Sequence, residues 1–148
     1  MITGSDLYSQ AWVVTYSVIS GNVTDPVSRG GSQWIFADYP QIQEGNTKQH
    51  PGFPIITIDP FQDDSMNLTN TQSENSIMST ISVHTNNKRQ LDTVSSDVFN
   101  ALNSHRVLFL QSGMKSLTIT PEGISTDFYA RDKKIHMKDI GIGFKVHL

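Results

Sequence analysis

The 148-residue chain contains no cysteine, which excludes disulfides, thiolate metal sites and a thiol nucleophile. Charge is also scarce. Charged residues make up 17% of the chain, against about 25% in an ordinary globular domain. Lysine and arginine number 11 and aspartate and glutamate 14, so the formal charge of −3 offers a phosphate backbone no net attraction. That argues against a dedicated nucleic-acid binder. No stretch approaches the roughly 20 apolar residues a membrane helix needs. The opening Met1-Ile2-Thr3-Gly4-Ser5-Asp6 has no basic segment ahead of an apolar one, as a signal peptide would. These absences predict a chain that stays in the cytoplasm where it is made. What replaces charge is Ser, Thr, Asn and Gln, a polar and weakly charged surface that suits subunit contacts because fewer charges must be desolvated on docking.

Chemistry-bearing motifs are missing as well. There is no nucleophile elbow and no phosphate-cradling loop, and Gly141-Ile142-Gly143 lacks the third glycine of a dinucleotide fingerprint. His50, His84, His105, His136 and His147 fall in five separate segments without zinc-ligand spacing. Asp59, Asp63 and Asp64 invite a hard-cation reading, but Asp59 precedes Pro60 and the other two open a polar loop without a calcium-type glycine turn. Asp132-Lys133-Lys134 resembles the acid-x-lysine end of metal-dependent nucleases. A nuclease built on Asp59, Asp127 and Lys134 is the alternative from another functional class. The expectation from the residues is no enzyme, no catalytic residue, no cofactor and no metal.

What is present is apolar periodicity. Leu7, Ala11, Val14 and Val18 mark one helical face behind a cap at Ser5 or Asp6, with Gly21-Asn22 as its C-terminal stop. The β-branched content of that stretch makes a strand the competing reading. Trp34-Ile35-Phe36 and Ile55-Ile56-Thr57-Ile58-Asp59 read as strands, the second stopped by Pro60. Residues 62–75 carry only Met66 and Leu68 as large apolar groups and read as a polar loop. Ile77, Ser79, Ile81, Val83 and Thr85 then alternate with polar partners as a strand, so strand, loop and strand form a long hairpin. Asn86-Asn87 caps a helix whose face is Leu91, Val94, Val98, Ala101 and Leu102. A further helical piece with Val107, Leu108 and Leu110 ends at Ser112-Gly113. Leu117 and Ile119 begin a strand that Pro121-Glu122-Gly123 closes as a turn, with Phe128 and Ala130 in its neighbour. Ile140, Ile142, Phe144, Val146 and Leu148 form the last strand. Ile135 and Met137 sit in the opposite phase, so a bulge near Lys138-Asp139 is expected if the strand is continuous. The fold class is α+β, a single domain over residues 1–148, with a largely antiparallel or mixed β-sheet, helices packed on one face and a long β-hairpin.

Three stretches carry a family resemblance: Tyr39-Pro40 leading to Phe53-Pro54-Ile55-Ile56-Thr57-Ile58, the run from Ile81-Ser82-Val83 through Leu91 to Leu102, and the segment from Leu108 to Ile119. The closing Phe144-Lys145-Val146 fits them. In these patterns of apolar spacing the chain resembles the tail-terminator and tail-completion proteins of long-tailed bacteriophages and archaeal viruses. The resemblance implies a structural virion protein forming a homo-oligomeric ring, usually a hexamer. Such a ring caps the major tail-tube protein, ends tube polymerisation and offers a docking surface to head-completion and neck proteins. DNA would pass through its lumen without specific binding, and no membrane is involved. A head-closure or head–tail joining neck protein is the neighbouring alternative. The candidate contact to the tube or an adjacent subunit is the polar loop, with Asp63, Asp64, Met66, Leu68 and Asn70; its bland counterpart is a disordered hairpin tip.

Overall fold

The computed structural model describes residues 7–27, 34–38, 53–63, 74–130 and 133–147, with the backbone alone at 63, 74–75, 124–130, 133–134 and 146–147. In chain order these residues form α1 (Leu7–Asn22), β1 (Ile35–Phe36), β2 (Ile55–Ile58), β3 (Gln62–Asp63), β4 (Glu74–Thr85), α2 (Lys88–Ser104), α3 (Arg106–Gln111), β5 (Lys115–Ala130) and β6 (Lys133–His147). The strands make one sheet in the order β1-β2-β4-β6-β5, with β3 pairing the far end of β4. Among the described residues only the β1–β2 pair is parallel, so the sheet is mixed.

Register follows from side-chain alternation. The antiparallel ladder running from Ile55↔His84 to Ile58↔Ile81 is the expected long hairpin. It sets Ile56 and Ile58 beside Val83 and Ile81 on one face, and β6 adds Ile140, Ile142 and Phe144 to that face. All of these are buried in one cluster with Leu7, Ala11, Val18 and Ile19 of α1 and with Leu91, Val94, Val98, Ala101 and Leu102 of α2. Both helices therefore pack on the same side of the sheet, and a one-residue slip in any strand would turn its apolar set to the other side. The helix reading of α1 prevails over the strand because this face has a sheet to cover.

The helices are laid across the sheet in strand order. Trp12 donates its indole Nε1–H to the Ile58 carbonyl at 2.9 Å, which ties α1 to the end of β2. α2 lies over β4, β6 and β5, and α3 packs against β5. Asn87 caps α2: its Oδ1 accepts from the amides of Arg89 at 3.0 Å and Gln90 at 3.3 Å, satisfying donors that the first turn leaves free.

Several local expectations are corrected. Gly21 and Asn22 lie inside α1, where the Asn22 amide donates to Val18 O at 2.8 Å, and Thr15 replaces Val14 among the buried positions. The Thr15 hydroxyl donates to Ala11 O at 2.8 Å, which is how a polar side chain sits in the core. Residues 62–63 and 74–75 are strand rather than loop. Pro121-Glu122-Gly123 is not a turn but part of β5, where the register shifts between Pro121 and Ile124. Proline survives there because β5 is an edge strand and the shift absorbs the lost ladder bond. β6 has no bulge at Lys138-Asp139. It pairs with β4 without interruption from Glu74↔His147 to Thr85↔His136, and the extra residue sits opposite, in β5. Ile135 and Met137 consequently face the side away from the helices, while His136 is buried beside Thr85.

Candidate functional site

Asp63 belongs to β3, opposite Ile77, and Asp64, Met66, Leu68 and Asn70 lie outside the described residues. The nuclease constellation is not assembled. The Asp59 amide bonds Thr80 O beside β2, whereas Asp127 pairs with Ile135 in β5. Three strand-to-strand spacings and about six residues separate them, more than roughly 20 Å at ordinary strand geometry. Asp132 lies outside the described residues. Among the described residues no group of three His, Cys, Asp or Glu could hold a metal ion, and no helix is long and apolar enough to cross a membrane.

A surface that residue spacing alone misses lies on α3. His105 breaks the helical run, its Nδ1 2.7 Å from Ala101 O and its amide bonded to Leu102 O. The next six residues restart as a separate helix. Phe109 points inward at 0% exposure, which leaves Val107, Leu108 and Leu110 outward at 63%, 46% and 57%. The helix is held firmly in that attitude. Arg106 donates to Asn103 Oδ1 at 2.8 Å and to the Leu117 carbonyl of β5 at 2.7 Å. At the other end the Met114 amide bonds Phe109 O and the Gly113 amide bonds Leu110 O, with Gly113 at φ 93°. This paired closure needs a left-handed residue and explains glycine there. Three aliphatic side chains on six residues thus face water from a rigid base.

At the opposite edge of the helical layer, α1 has no charged residue in its 16 positions. Its exposed positions are Tyr8, Ser9, Val13, Ser17, Ser20, Gly21 and Asn22. One end of the layer is aliphatic, with its Arg106 turned back onto Asn103 and Leu117, and the other is uncharged, so docking would strip few ions of water.

The side of the sheet away from the helices is a third surface. Thr57, Ser82 and Asp139 are cross-strand neighbours on it, and Thr80 stands beside Gly141 and Thr120. With no side chains at Gly141 and Gly143, a groove of about 350 Å³ runs along β6, bounded by Met78, Thr118, Thr120, Glu122 and Lys145. Ser82 donates to Asp139 Oδ1 at 2.7 Å, and His84 Nε2 lies 3.1 Å from Thr57 Oγ1. Burial pushes the His84 imidazole below its ordinary pKa, against the opposing pull of Asp139. Asp59 is pushed up, by partial burial first and then by the neighbouring charges of Asp139 and Asp38. Acidic groups therefore gather on this face toward the β1–β2 edge.

No protein family matches the chain, and no curated protein matches it significantly.

Proposed function

We propose that this chain is the subunit of a ring that ends a viral tail tube, a tail-terminator protein, in which contacts run from the α3 edge of one copy to the α1 edge of the next. The observation that carries this is the outward display of Val107, Leu108 and Leu110 on a helix anchored by Phe109 and Arg106. Contiguous exposed aliphatics on a rigid base mark an association surface. Position matters as much as composition. α1 is tied to β2 and α3 to β5, so the two surfaces stand at opposite edges of the sheet. A patch that meets a different patch on its neighbour makes a heterologous contact, and heterologous contacts close into rings when the rotation per subunit closes.

In such a ring the sheet face would turn toward the lumen. Asp38, Asp59, Asp139 and Glu122 lie on or beside that face and outnumber its Lys145, and a net negative charge there would let DNA pass without holding it. The predicted role is geometric: seat on the last ring of tube subunits, stop their polymerisation and present a surface to the head.

The test is native mass spectrometry and electron microscopy of the purified chain, alone and with polymerised tail tubes. A discrete ring, or a monomer that closes into a ring on tube ends, is the expected result. A monomer that leaves tube length and tube ends unchanged overturns the reading.

A further inference from the structure

A second cavity, of about 260 Å³, lies between α2 and the β5–β6 edge, apart from the α3 surface and from the groove on the open face. Its walls are Ser95, Ser96, Phe99 and Asn100 from α2 and Pro121, Lys138 and Ile140 from the two strands. The cavity has a structural origin. β5 carries one extra residue between Pro121 and Ile124, and those two residues pair with Ile140 and Lys138. The bulge bends the edge strand where α2 crosses it, so helix and strand do not close over each other.

Two groups in this cavity are anomalous. Lys138 occupies the phase of β6 that otherwise buries Ile140, Ile142 and Phe144, and it pairs with fully buried Val83. Lys138 is half-buried there, and among the described residues no acidic side chain lines the cavity to pair with it. Ser95 is 2% exposed, and its Oγ is a buried side-chain oxygen without a hydrogen-bond partner. A buried hydroxyl left in that state is destabilising relative to a satisfied one. The ring of Phe99 and the apolar surfaces of Pro121 and Ile140 complete the walls.

We propose that this cavity binds a small carboxylate with an apolar body, of the size and chemistry of an aromatic monoacid. The ammonium of Lys138 and the amide of Asn100 supply donors to the two carboxylate oxygens, and the Ser95 hydroxyl supplies a third at the inner wall. The apolar body packs on Phe99, Pro121 and Ile140, the pairing of apolar lining with a few convergent polar groups that small-molecule sites share. A single negative charge matches the single cation. A phosphate dianion would bring a second charge for which the cavity has no second cation, which disfavours it.

The experiment is a titration of the isotopically labelled full chain with benzoate, followed by amide and side-chain chemical shifts, with neutral benzamide and inorganic phosphate as parallel probes. The expected result is saturable shifts at Ser95, Phe99, Asn100 and Lys138 with benzoate, binding of benzamide about tenfold weaker or more, and no saturation with phosphate. Lys138→Met, which keeps the apolar stem, should weaken benzoate about tenfold while leaving the benzamide shifts in place. Ser95→Ala removes the unpartnered hydroxyl and is expected to fold; it should weaken benzoate severalfold. Equal binding of benzoate and benzamide, an unaltered benzoate affinity in Lys138→Met, phosphate saturation, or shifts confined to other parts of the sheet would each overturn the proposal.

Discussion

Consider the triple substitution Val107→Ser, Leu108→Gln and Leu110→Gln on the outer side of α3. These side chains leave 63%, 46% and 57% of their surface in water. Full burial of an aliphatic side chain contributes about 1.5–3 kcal/mol, so covering the open half of each contributes about 1 kcal/mol and the three together about 3 kcal/mol per subunit contact. At about 1.4 kcal/mol per factor of ten, losing that contribution weakens each contact roughly 100-fold. In a closed ring every contact is lost at once, so the variant should sediment as a monomer at concentrations where the parent forms rings. The fold itself should hold. Exposed positions away from caps and cores change stability by less than about 0.5 kcal/mol, and the anchors Phe109 and Arg106 are untouched. Sedimentation velocity across a concentration series, paired with urea unfolding, separates the two effects. Phe109→Ala is the contrasting control, because removing a fully buried ring costs about 3–5 kcal/mol of stability. An oligomer that survives the triple substitution, or a triple variant as unstable as Phe109→Ala, would refute the reasoning.

Further outcomes follow from the same geometry. Asn87→Ala removes the acceptor for the Arg89 and Gln90 amides and should lower stability to urea by about 1 kcal/mol, whereas Asn87→Asp should restore most of it. His84 is held below its ordinary pKa of 6.5 by burial, so the unfolded chain binds the proton more readily; stability should be full above that pH and fall as pH drops below it. Thermal melts between neutral and mildly acidic pH should show that loss, and His84→Gln should reduce the slope. A β-carbon on Gly143 would meet Ile77 O at 3.5 Å and Thr118 Oγ1 at 3.8 Å, which is ordinary contact. Gly143→Ala should therefore stabilise the chain by about 0.5 kcal/mol through the unfolded state, read as a raised urea midpoint with an unchanged slope.

Much of the architecture was legible because its periodicities are long. In α2 the face Leu91, Val94, Val98, Ala101 and Leu102 repeats at helical spacing, and all five residues are buried as that spacing demands. β4 alternates in the same dependable way, and each match narrows which side of the element faces the core. Errors came where local signals were ambiguous. Pro121-Glu122-Gly123 carries the chemistry of a turn, but an edge strand tolerates a missing donor, and only pairing with β6 shows that the ladder continues through it. The phase change at Ile135 and Met137 was visible, but its resolution was not. β6 stays regular and places those two residues on the far face, because its ladder with β4 is too long to slip at one point.

The sites divide similarly. Loop composition drew attention to residues 62–75, whereas the exposed aliphatics of α3 could not be recognised from spacing, since Val107, Leu108 and Leu110 look like core residues in any linear reading. Their exposure depends on the break at His105 and on Phe109 taking the single inward position. The sequence alone determined the elements, the helical and strand faces, the absence of thiol chemistry and the weak negative charge, because each of these is a property of neighbours along the chain or of composition. Tertiary structure decided which faces meet and which stay open. It set α1 and α3 at opposite edges, bent β5 away from α2 and left Lys138 and Ser95 facing a cavity, because burial and pairing are settled between segments far apart in the chain.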